Sequence, residues 1–383
     1  MDFSFTDEQK MFRDTVYRYA KEEIAPLSEE ADLKSEFSFE IWEKLGAMGL
    51  LGLPIPEEYG GQGADIVTCC LAGEALGHAG VDSGMTMSLG AHIYLCAMNI
   101  YYNGTEEQKK KYLPDLASGR WIGCMGLTEP EAGSDAAAIR TTAVKRGDKY
   151  ILNGSKTFIT NAPVSDVMVV YANLSKARKR EGITAFILEK GQRGLSTGKP
   201  FHKMGHRASC TSEIFMEDVE VSKENCLGGE GNGWRMALES VEWDRSTLAS
   251  PGIGSLLYSL ELCAKHANTR IAFNRPIKEF QAIQHKIADI KICLEVCKLA
   301  VYRVAASKDN GIRLNPLQAA VTKLYMGDVG FERASDAVQI FGGYGLMHEY
   351  PVERYLRDAK LVSIGGGSSE VMKLILSRML LNQ

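Results

Sequence analysis

The sequence predicts an α+β protein in which a middle β domain stands between two helical regions. Two changes of period carry this prediction: the helical spacing of apolar residues gives way to alternation near residue 121 and returns near residue 226. A chain of 383 residues, 45% of them hydrophobic, buries a large core and divides into two or three domains. We therefore expect a helical domain over 1–120, a β domain over 121–225 and a helical bundle over 226–383.

Capping boxes mark helix starts in the first region. Thr6 with Gln9, and Thr105 with Gln108, each place a hydroxyl side chain three residues before a Gln. The Pro and Gly residues of 54–61 are typical of a long loop. The first region is therefore predicted to be a bundle of helices, two of which begin after residues 6 and 105.

Turn dipeptides divide the middle region into short β-rich runs. Gly147-Asp148 and Asn153-Gly154 are of the type that closes two-residue hairpins, so each predicts a hairpin. The resulting domain is predicted to be an antiparallel barrel or sandwich. Its predicted strands cover 141–145, 150–152, 156–160, 167–171, 184–188 and 213–219.

Helical spacing returns after the glycine-rich segment 228–233 and lasts to the end of the chain. A second glycine-rich segment, 341–345, follows a helical run rather than a strand. It therefore predicts a helix end and a turn, and not a dinucleotide-binding βαβ unit. The predicted helical segments cover 234–269, 280–308, 315–340 and 368–380.

Composition excludes several classes of function. The net charge of −4 arises from well-mixed acidic and basic residues, so we expect no binding to nucleic acid or to an anionic membrane. The nine cysteines and seven histidines show no spacing typical of a zinc site, a redox motif or a catalytic triad. No apolar run has membrane-spanning length, and no secretory segment is recognised at Met1. We expect a cytoplasmic protein without a metal.

Six loop segments together resemble the acyl-CoA dehydrogenase family over essentially the whole chain. Segment 127–135 alone is compatible with an ordinary turn, and no single segment carries the resemblance, which lies in their order and separations. It implies a C-terminal four-helix bundle, FAD as cofactor, an acyl-CoA substrate, a homotetramer, and an electron-transferring flavoprotein as electron acceptor. The segments are 127–135, 156–161, 270–273, 339–343, 357–360 and 365–370.

The resemblance also implies which residues contact FAD. Phe158 stands where the family usually has Trp, so it keeps an aromatic face but lacks the indole N–H. The Gly residues of 342–343 would let the backbone approach the pyrophosphate of a neighbouring subunit's FAD. The implied FAD contacts in the middle domain are Met125, Leu127, Thr128, Ser134, Phe158, Ile159 and Thr160. Those in the C-terminal domain are Arg270, Phe273, Gln281, Gln339, Gly342, Gly343, Ser368 and Glu370.

The catalytic base is implied by a departure from the commonest family pattern. Many members carry a catalytic Glu where this chain has Gly366. Others place the carboxylate on the first helix of the C-terminal domain, immediately before an Arg, and Asp244 before Arg245 matches that position. Asp244 is therefore the candidate base, and a surface ion pair is the alternative role for an Asp.

Substrate contacts are implied at the same place. The backbone amide of Gly366, together with a ribityl hydroxyl of FAD, would stabilise the thioester oxygen as charge develops. The other implied contacts are Ser134, Glu242, Arg245 and Gly365.

The glycines at 365 and 366 replace bulkier side chains, which favours a short acyl group that is branched or alicyclic, such as isobutyryl, 2-methylbutyryl or cyclohexane-1-carboxyl. Two alternatives stay open at this stage. One is an enoyl-CoA reductase running the reverse reaction, and the other is a catalytically silent flavoprotein subunit.

Overall fold

A computed structural model describes residues 4–174, 180–245, 247–311 and 316–381, without the side chains of Trp243 and Asp244. Along the chain it contains a helical region, a β-sheet region and a second helical region, which confirms the predicted fold class. Within the described residues no helix is long and apolar enough to cross a membrane. The same residues contain no cluster of side chains arranged to hold a metal ion.

Over its described residues, 4–120, the first helical region contains seven α-helices. Both predicted capping boxes are confirmed: Gln9 N–H donates to Thr6 Oγ1 at 3.1 Å, and Gln108 N–H donates to Thr105 Oγ1 at 3.3 Å. Short π-helical turns at 20–24 and 91–97 connect two pairs of these helices. The helices are α1 (Asp7–Tyr19), α2 (Ala25–Lys34), α3 (Phe39–Ala47), α4 (Ile66–Ala79), α5 (Ser83–Gly90), α6 (Met98–Asn103) and α7 (Glu106–Ser118).

The β region is one mixed sheet with the strand order β6-β7-β3-β2-β4-β5-β8, and β1 pairs with β4. Most neighbours are antiparallel, as expected, but β1 and β2 each run parallel to β4. A parallel pair needs a long crossover, and the chain between β1 and β4 supplies it. The strands are β1 (Gly123–Gly126), β2 (Thr142–Arg146), β3 (Lys149–Thr160), β4 (Val167–Asn173), β5 (Ile183–Glu189), β6 (Leu195–Thr197), β7 (Thr211–Ser222) and β8 (Cys226–Leu227).

One of the two predicted hairpins is wrong. Gly147-Asp148 does connect β2 to β3, but β3 continues through Asn153-Gly154, where its pairing with β7 shifts register. Gly154 has φ +146°, and a Cβ on it would lie 2.6 Å from Thr141 Oγ1. Asn-Gly therefore forms a β-bulge at a close backbone approach rather than a turn.

Where the structure describes it, the second helical region contains six α-helices and a short ribbon, β9 (Ile271–Ala272) with β10 (Arg275–Pro276). The predicted segment 234–269 is divided at residues 245–249. Pro251 lies in the first turn of the second helix, where its fixed φ and missing N–H favour a new helix start. The helices are α8 (Gly233–Asp244), α9 (Ser250–Thr269), α10 (Gln281–Asp309), α11 (Pro316–Phe341), α12 (Val352–Val362) and α13 (Ser369–Leu380).

Helix α12 has no counterpart among the predicted helices, and two of its four buried residues, Arg354 and Asp358, are charged. Arg354 is buried and donates to the Gly80 carbonyl oxygen at 3.2 Å. Arg357 pairs with Asp32 at 2.6 Å and with Glu353 at 2.7 Å. The helix is amphipathic, but charged side chains take part of its buried face, so its overall hydrophobicity is low.

Helices α4 and α9 cross in direct backbone contact. A Cβ on Gly77 would lie 2.0 Å from the Pro251 carbonyl oxygen, and a Cβ on Gly254 would lie 2.0 Å from the Glu74 carbonyl oxygen. Only glycine permits this approach. The crossing joins the two helical regions and fixes where the first turn of α9 begins.

Strand β1 is tied to the first helical region by a buried histidine. The Gly123 N–H donates to His92 Nδ1 at 2.9 Å, and His92 Nε2 contacts the Leu116 carbonyl oxygen at 2.9 Å. Burial lowers the pKa of His92 to about 4, so the neutral ring accepts one hydrogen bond and donates the other. The start of β1 is therefore fixed against the helices.

The α4–α9 crossing gives a stability test. We expect Gly77→Ala to lower the free energy of unfolding by about 3 kcal/mol, because the added methyl group meets backbone rather than a side chain that can move. Urea denaturation measures this change. The matched control is Gly330→Ala in α11, where nothing lies within 4 Å of the added Cβ, so that alanine should stabilise by about 0.5–1 kcal/mol. Equal effects of the two substitutions would contradict the packing argument.

Candidate active site

The end of α8 and the loop between α12 and α13 lie against each other. Asp244 is the last residue of α8, and its side chain lies outside the described part of the structure. Arg245 is only 8% exposed, and its Nε donates to the Gly366 carbonyl oxygen at 3.3 Å. The structure thus brings the segment of the predicted base to the segment of the predicted amide donor.

Residues 365–367, here called the glycine loop, adopt backbone conformations that favour glycine. The φ angles of Gly366 and Gly367 are +63° and +98°, in the left-handed region. Gly365 differs, because a Cβ there would meet Leu361 Cδ1 at an ordinary contact distance of 3.5 Å. The missing side chain at 365 therefore leaves room beside the loop instead of relieving a clash.

Glu242, predicted to contact the substrate, lies near a buried lysine. Burial lowers the pKa of Lys308 to about 8, and the negative charge of Glu242 opposes that shift. The structure therefore gives Glu242 an electrostatic partner within the protein.

A second group of predicted residues lies at the ends of β1 and β3. The Thr157 N–H donates to the Thr128 carbonyl oxygen at 2.9 Å. This hydrogen bond joins the chain after β1 to the last residues of strand β3. Phe158 is 69% exposed with φ +58°, and its ring faces Phe201 at 5.6 Å. Met125 is half-buried, whereas the side chains of Leu127 and Ile159 are buried, so these last two can offer only backbone atoms to a ligand.

A buried ion pair beneath this face was not assigned a role from the sequence. Lys156 Nζ lies 2.7 Å from Glu129 Oε1 and 3.2 Å from the Leu127 carbonyl oxygen, and both side chains are buried. Burial lowers the pKa of Lys156 to about 8, although Glu129 opposes the shift. Burial acts to raise the pKa of Glu129, but the charge and hydrogen bond of Lys156, together with the hydrogen bonds from Thr141 and Arg140, outweigh it, so that pKa lies below its usual value.

This pair connects β3 to the loop that begins at Leu127. Glu129 also accepts backbone N–H bonds from Arg140 and Thr141, the latter at 3.0 Å. Lys156 and Glu129 occur in two of the segments singled out from the sequence, 156–161 and 127–135, so the available signal was two residues of opposite charge in neighbouring motifs. The pair therefore holds the 127–129 backbone in place.

A third group lies around an open, apolar pocket of about 810 Å³ between the start of α10 and the end of α11, here called the α10–α11 pocket. Phe273 is 90% exposed and its φ is +51°. Arg270 stacks over the Tyr344 ring at 5.5 Å. Among the predicted residues, those lining the pocket are Arg270, Phe273, Gly342 and Gly343.

The fit of this pocket to FAD can be tested on its chemistry. A Cβ on Gly342 or Gly343 would meet nothing within 4 Å, so the backbone there is open to a ligand. Arg270 supplies a cation for a phosphate, and the aromatic walls suit a flat ring system. The residues present therefore fit a dinucleotide cofactor.

Five other predicted contacts do not line the α10–α11 pocket. Gln281 and Gln339 are exposed at its border, next in sequence to lining residues. Ser134 is exposed on the loop after Thr128. Ser368 caps α13 by accepting the Val371 N–H at 3.4 Å, and Glu370 is exposed in the first turn of that helix, so these two lie beside the glycine loop.

A small apolar cavity of about 20 Å³ lies just beyond the end of α8. Thr247 and Leu248, soon after Asp244 in the chain, form one side of it, and α4, α5 and residues 91–97 form the others. Leu248 packs onto α5 so closely that a Cβ on Gly90 would lie 1.7 Å from Leu248 Cδ2. Leu248 is therefore a lining side chain of this cavity that is tightly packed against α5.

Comparisons with known proteins agree over the whole chain. Family models match at residues 6–120 (acyl-CoA dehydrogenase, N-terminal domain), 124–219 (middle domain) and 231–381 (C-terminal domain). A short-chain-specific acyl-CoA dehydrogenase of Clostridium acetobutylicum is 41% identical, over 98% of this chain and 99% of that protein. The mitochondrial isovaleryl-CoA dehydrogenase of Pongo abelii is 40% identical, over 97% of this chain and 88% of its own. The solved structure of butyryl-CoA dehydrogenase from Megasphaera elsdenii is 39% identical with a TM-score of 0.95, covering 100% of both chains.

The buried ion pair yields a direct test. We expect Lys156→Met to lower the free energy of unfolding by about 3–5 kcal/mol, because it leaves the Glu129 charge buried without its partner. It should also lower the ratio of flavin to protein after purification, because the 127–129 backbone loses its anchor. Denaturation curves and flavin absorbance measure the two effects.

The matched control for that test is Lys149→Met. Lys149 lies on the same strand and pairs with Glu220 at 2.7 Å, but both side chains are exposed. An exposed pair contributes about 0–1 kcal/mol, so we expect little change. A loss of stability in Lys156→Met no larger than that of the control would show that the buried pair does not anchor the loop.

Proposed function

Because this chain belongs to the acyl-CoA dehydrogenase family, we propose that it removes hydrogen from Cα and Cβ of a short branched or alicyclic acyl-CoA. The protein is an oxidoreductase with FAD as its cofactor. The observation that carries the proposal is the hydrogen bond from Arg245 to the Gly366 carbonyl oxygen, since it joins the segment of Asp244 to the glycine loop. We also propose the ranges 1–120, 121–225 and 226–383 as the domains of the chain.

In this mechanism Asp244 takes the α-proton of the thioester. A carboxylate is too weak a base for this proton unless the thioester oxygen is stabilised as negative charge develops. The backbone N–H of Gly366 supplies that hydrogen bond. Arg270, Gly342 and Gly343 of the α10–α11 pocket would help to hold FAD, which would supply the acceptor for the hydride that leaves Cβ.

The proposed substrate is short because little apolar space follows the end of α8. An acyl chain held with Cα at Asp244 must continue into neighbouring apolar space, and the cavity at Leu248 measures only about 20 Å³. That volume holds about one small group. Relatives named for short-chain and isovaleryl thioesters agree with this limit. Room beside Gly365 supports a branch or a ring at the reacting carbons.

A homotetramer is proposed because the faces suited to FAD are exposed and lie on different regions. Phe158 belongs to the β region and Phe273 to the second helical region, and they are 69% and 90% exposed. A partner chain over these apolar surfaces would remove them from water. Helix α10 adds an outward apolar face of Ile292, Val296 and Leu299, whose spacing suits packing against another helix.

The electron acceptor is proposed to be an electron-transferring flavoprotein, as in similar enzymes. The reduced cofactor must lose its electrons before another turnover, so the enzyme needs such a partner. The cytoplasmic location stays a prediction.

Anaerobic titration with thioesters tests the proposed reaction. We expect isobutyryl-, 2-methylbutyryl- or cyclohexane-1-carboxyl-CoA to bleach the flavin absorbance more readily than butyryl- or hexanoyl-CoA. In Asp244→Asn the protein should keep bound FAD, and the rate of bleaching should fall by about 10²–10⁴-fold, the usual contribution of a general base.

Glu239→Gln is the matched control, since Glu239 is a carboxylate of the same helix paired with Arg235 at the surface at 2.7 Å. Faster bleaching by the straight-chain thioesters would contradict the proposed acyl group. An unchanged rate in Asp244→Asn would contradict the base. Absence of bleaching with every thioester would favour the reductase or the silent subunit.

Leu248 provides a separate test of the acyl group. We expect Leu248→Ala to raise kcat/KM for hexanoyl-CoA relative to isobutyryl-CoA by about tenfold, since space for each methylene contributes about 1–3 kcal/mol to selectivity. Steady-state kinetics on both substrates measure the ratio. Leu257→Ala on α9 is the control, because Leu257 packs on the core outside the cavity. If the ratio of kcat/KM for hexanoyl-CoA to that for isobutyryl-CoA is the same in Leu248→Ala and Leu257→Ala, Leu248 does not limit the length of the acyl chain.

A further inference from the structure

Two buried cations bind neighbouring carbonyl groups of the glycine loop. Arg245 Nε donates to the Gly366 carbonyl oxygen at 3.3 Å, and Lys323 Nζ, from α11, donates to that of Gly367. Arg245 and Lys323 are 8% and 5% exposed. The guanidinium also lies close to the loop itself, 3.5 Å from the position of a Cβ on Gly367.

The sequence of the loop explains why it needs such contacts. Three successive glycines lose more backbone entropy on ordering than any other residues would. They also have no side chains that could pack and hold the loop. In the described structure, backbone hydrogen bonds hold only the two ends of the loop: the Gly365 N–H donates to the Leu361 carbonyl oxygen at 2.8 Å, and the Ser369 N–H donates to the Ser363 carbonyl oxygen at 3.0 Å.

The same loop carries the amide that must meet the thioester oxygen. Within the described residues the Gly366 N–H donates no hydrogen bond to the protein, and Gly366 is half-buried. A donor stabilises a developing charge most when it is already oriented before the reaction. Holding the Gly366 and Gly367 carbonyl groups fixes the peptides that follow this N–H, and so limits the directions in which it can point.

We propose that Lys323 is a positioning residue for proton abstraction: with Arg245 it orders the glycine loop so that the Gly366 amide faces the thioester oxygen. This inference rests on the proposed function, because it assigns Lys323 to the same site. Arg245 is adjacent to the candidate base, so a substitution there would disturb two groups at once. Lys323 reaches the loop from a different helix and can be changed separately.

The charge of Lys323 acts in the same direction as its hydrogen bond. An ammonium group bound to the loop favours negative charge on a ligand atom that accepts from the loop, and burial weakens the screening by water. A lysine with only a structural role would leave the ionisation of such a ligand unchanged. The ionisation of a bound ligand therefore separates the two roles.

Acetoacetyl-CoA is a suitable probe, because its C2 proton is acidic and its enolate absorbs ultraviolet light. Bound to the FAD-loaded enzyme, its enolate oxygen corresponds to the thioester oxygen of the reacting substrate. The pKa of the bound ligand is measured from absorbance against pH in the wild type, Lys323→Met and Lys323→Arg. The same proteins are assayed for kcat, KM and bound flavin.

In Lys323→Met we expect the pKa of bound acetoacetyl-CoA to rise by about one unit, which is a tenfold loss of enolate stabilisation. The value of kcat should fall by about tenfold or more, approaching the effect of losing an oxyanion donor, while KM changes little. Lys323→Arg keeps the charge and the hydrogen-bond donor. It should therefore restore most of the wild-type ligand pKa and most of the wild-type kcat.

The matched control is Lys373→Met. Lys373 Nζ lies 3.6 Å from Asp328 Oδ2 on the same α11–α13 side, and its side chain is 62% exposed. It makes no contact with the glycine loop in the described structure, so its removal should leave the pKa of the bound ligand unchanged.

If the pKa of acetoacetyl-CoA bound to Lys323→Met equals that in the wild type, the proposal is overturned, whatever happens to kcat. If that variant does not fold, Lys323→Gln, which retains an N–H donor without the charge, is judged by the same measurement. Failure of the proposed function has a different signature, namely a wild-type enzyme whose flavin no acyl-CoA reduces. The ligand pKa in the variants is read independently of that result.

Discussion

The backbone contact between α4 and α9 is the constraint on which the rest of the site depends. Glycines at 77 and 254 let the two helices meet without intervening side chains, and this contact fixes the first turn of α9 against the first helical region. The chain from α8 must reach that turn through residues 245–249. The cavity beside Leu248 lies at the same crossing, because residues of α4 and the first turn of α9 also line it.

Buried charged side chains hold the loops that carry the chemistry. Lys156 binds Glu129 and the Leu127 carbonyl oxygen, and Lys323 binds the glycine loop. In both places the loop is rich in glycine or turn residues, so its order cannot come from its own packing. A buried cation must find acceptors because leaving it unpaired is costly. The carbonyl oxygens of a loop can accept these hydrogen bonds. The bonds in turn hold the loop in one conformation.

Local signals in the sequence were reliable where the interaction is local. The capping boxes at Thr6 and Thr105 and the turn at Gly147 involve residues within a few positions of one another, and the structure confirms them. Asn153-Gly154 failed because its conformation is decided by Thr141 and β7, which are distant in sequence. Helix α12 was missed for the same reason, since the partner of Arg357 is Asp32 at the other end of the chain.

The candidate site shows the same division. Asp244 and Gly366 were found through the order of motifs along the chain, but the contact that unites their segments, from Arg245 to the loop, could not be predicted from spacing. Lys323 carried no motif at all. Separating the base from the loop has a physical consequence: the residue at 366 no longer needs a side chain. It can take the left-handed conformation that φ +63° requires, and the amide can be oriented by Arg245 and Lys323 independently of the carboxylate. In such an arrangement, the position of the proton acceptor and the direction of the oxyanion donor are set by different helices.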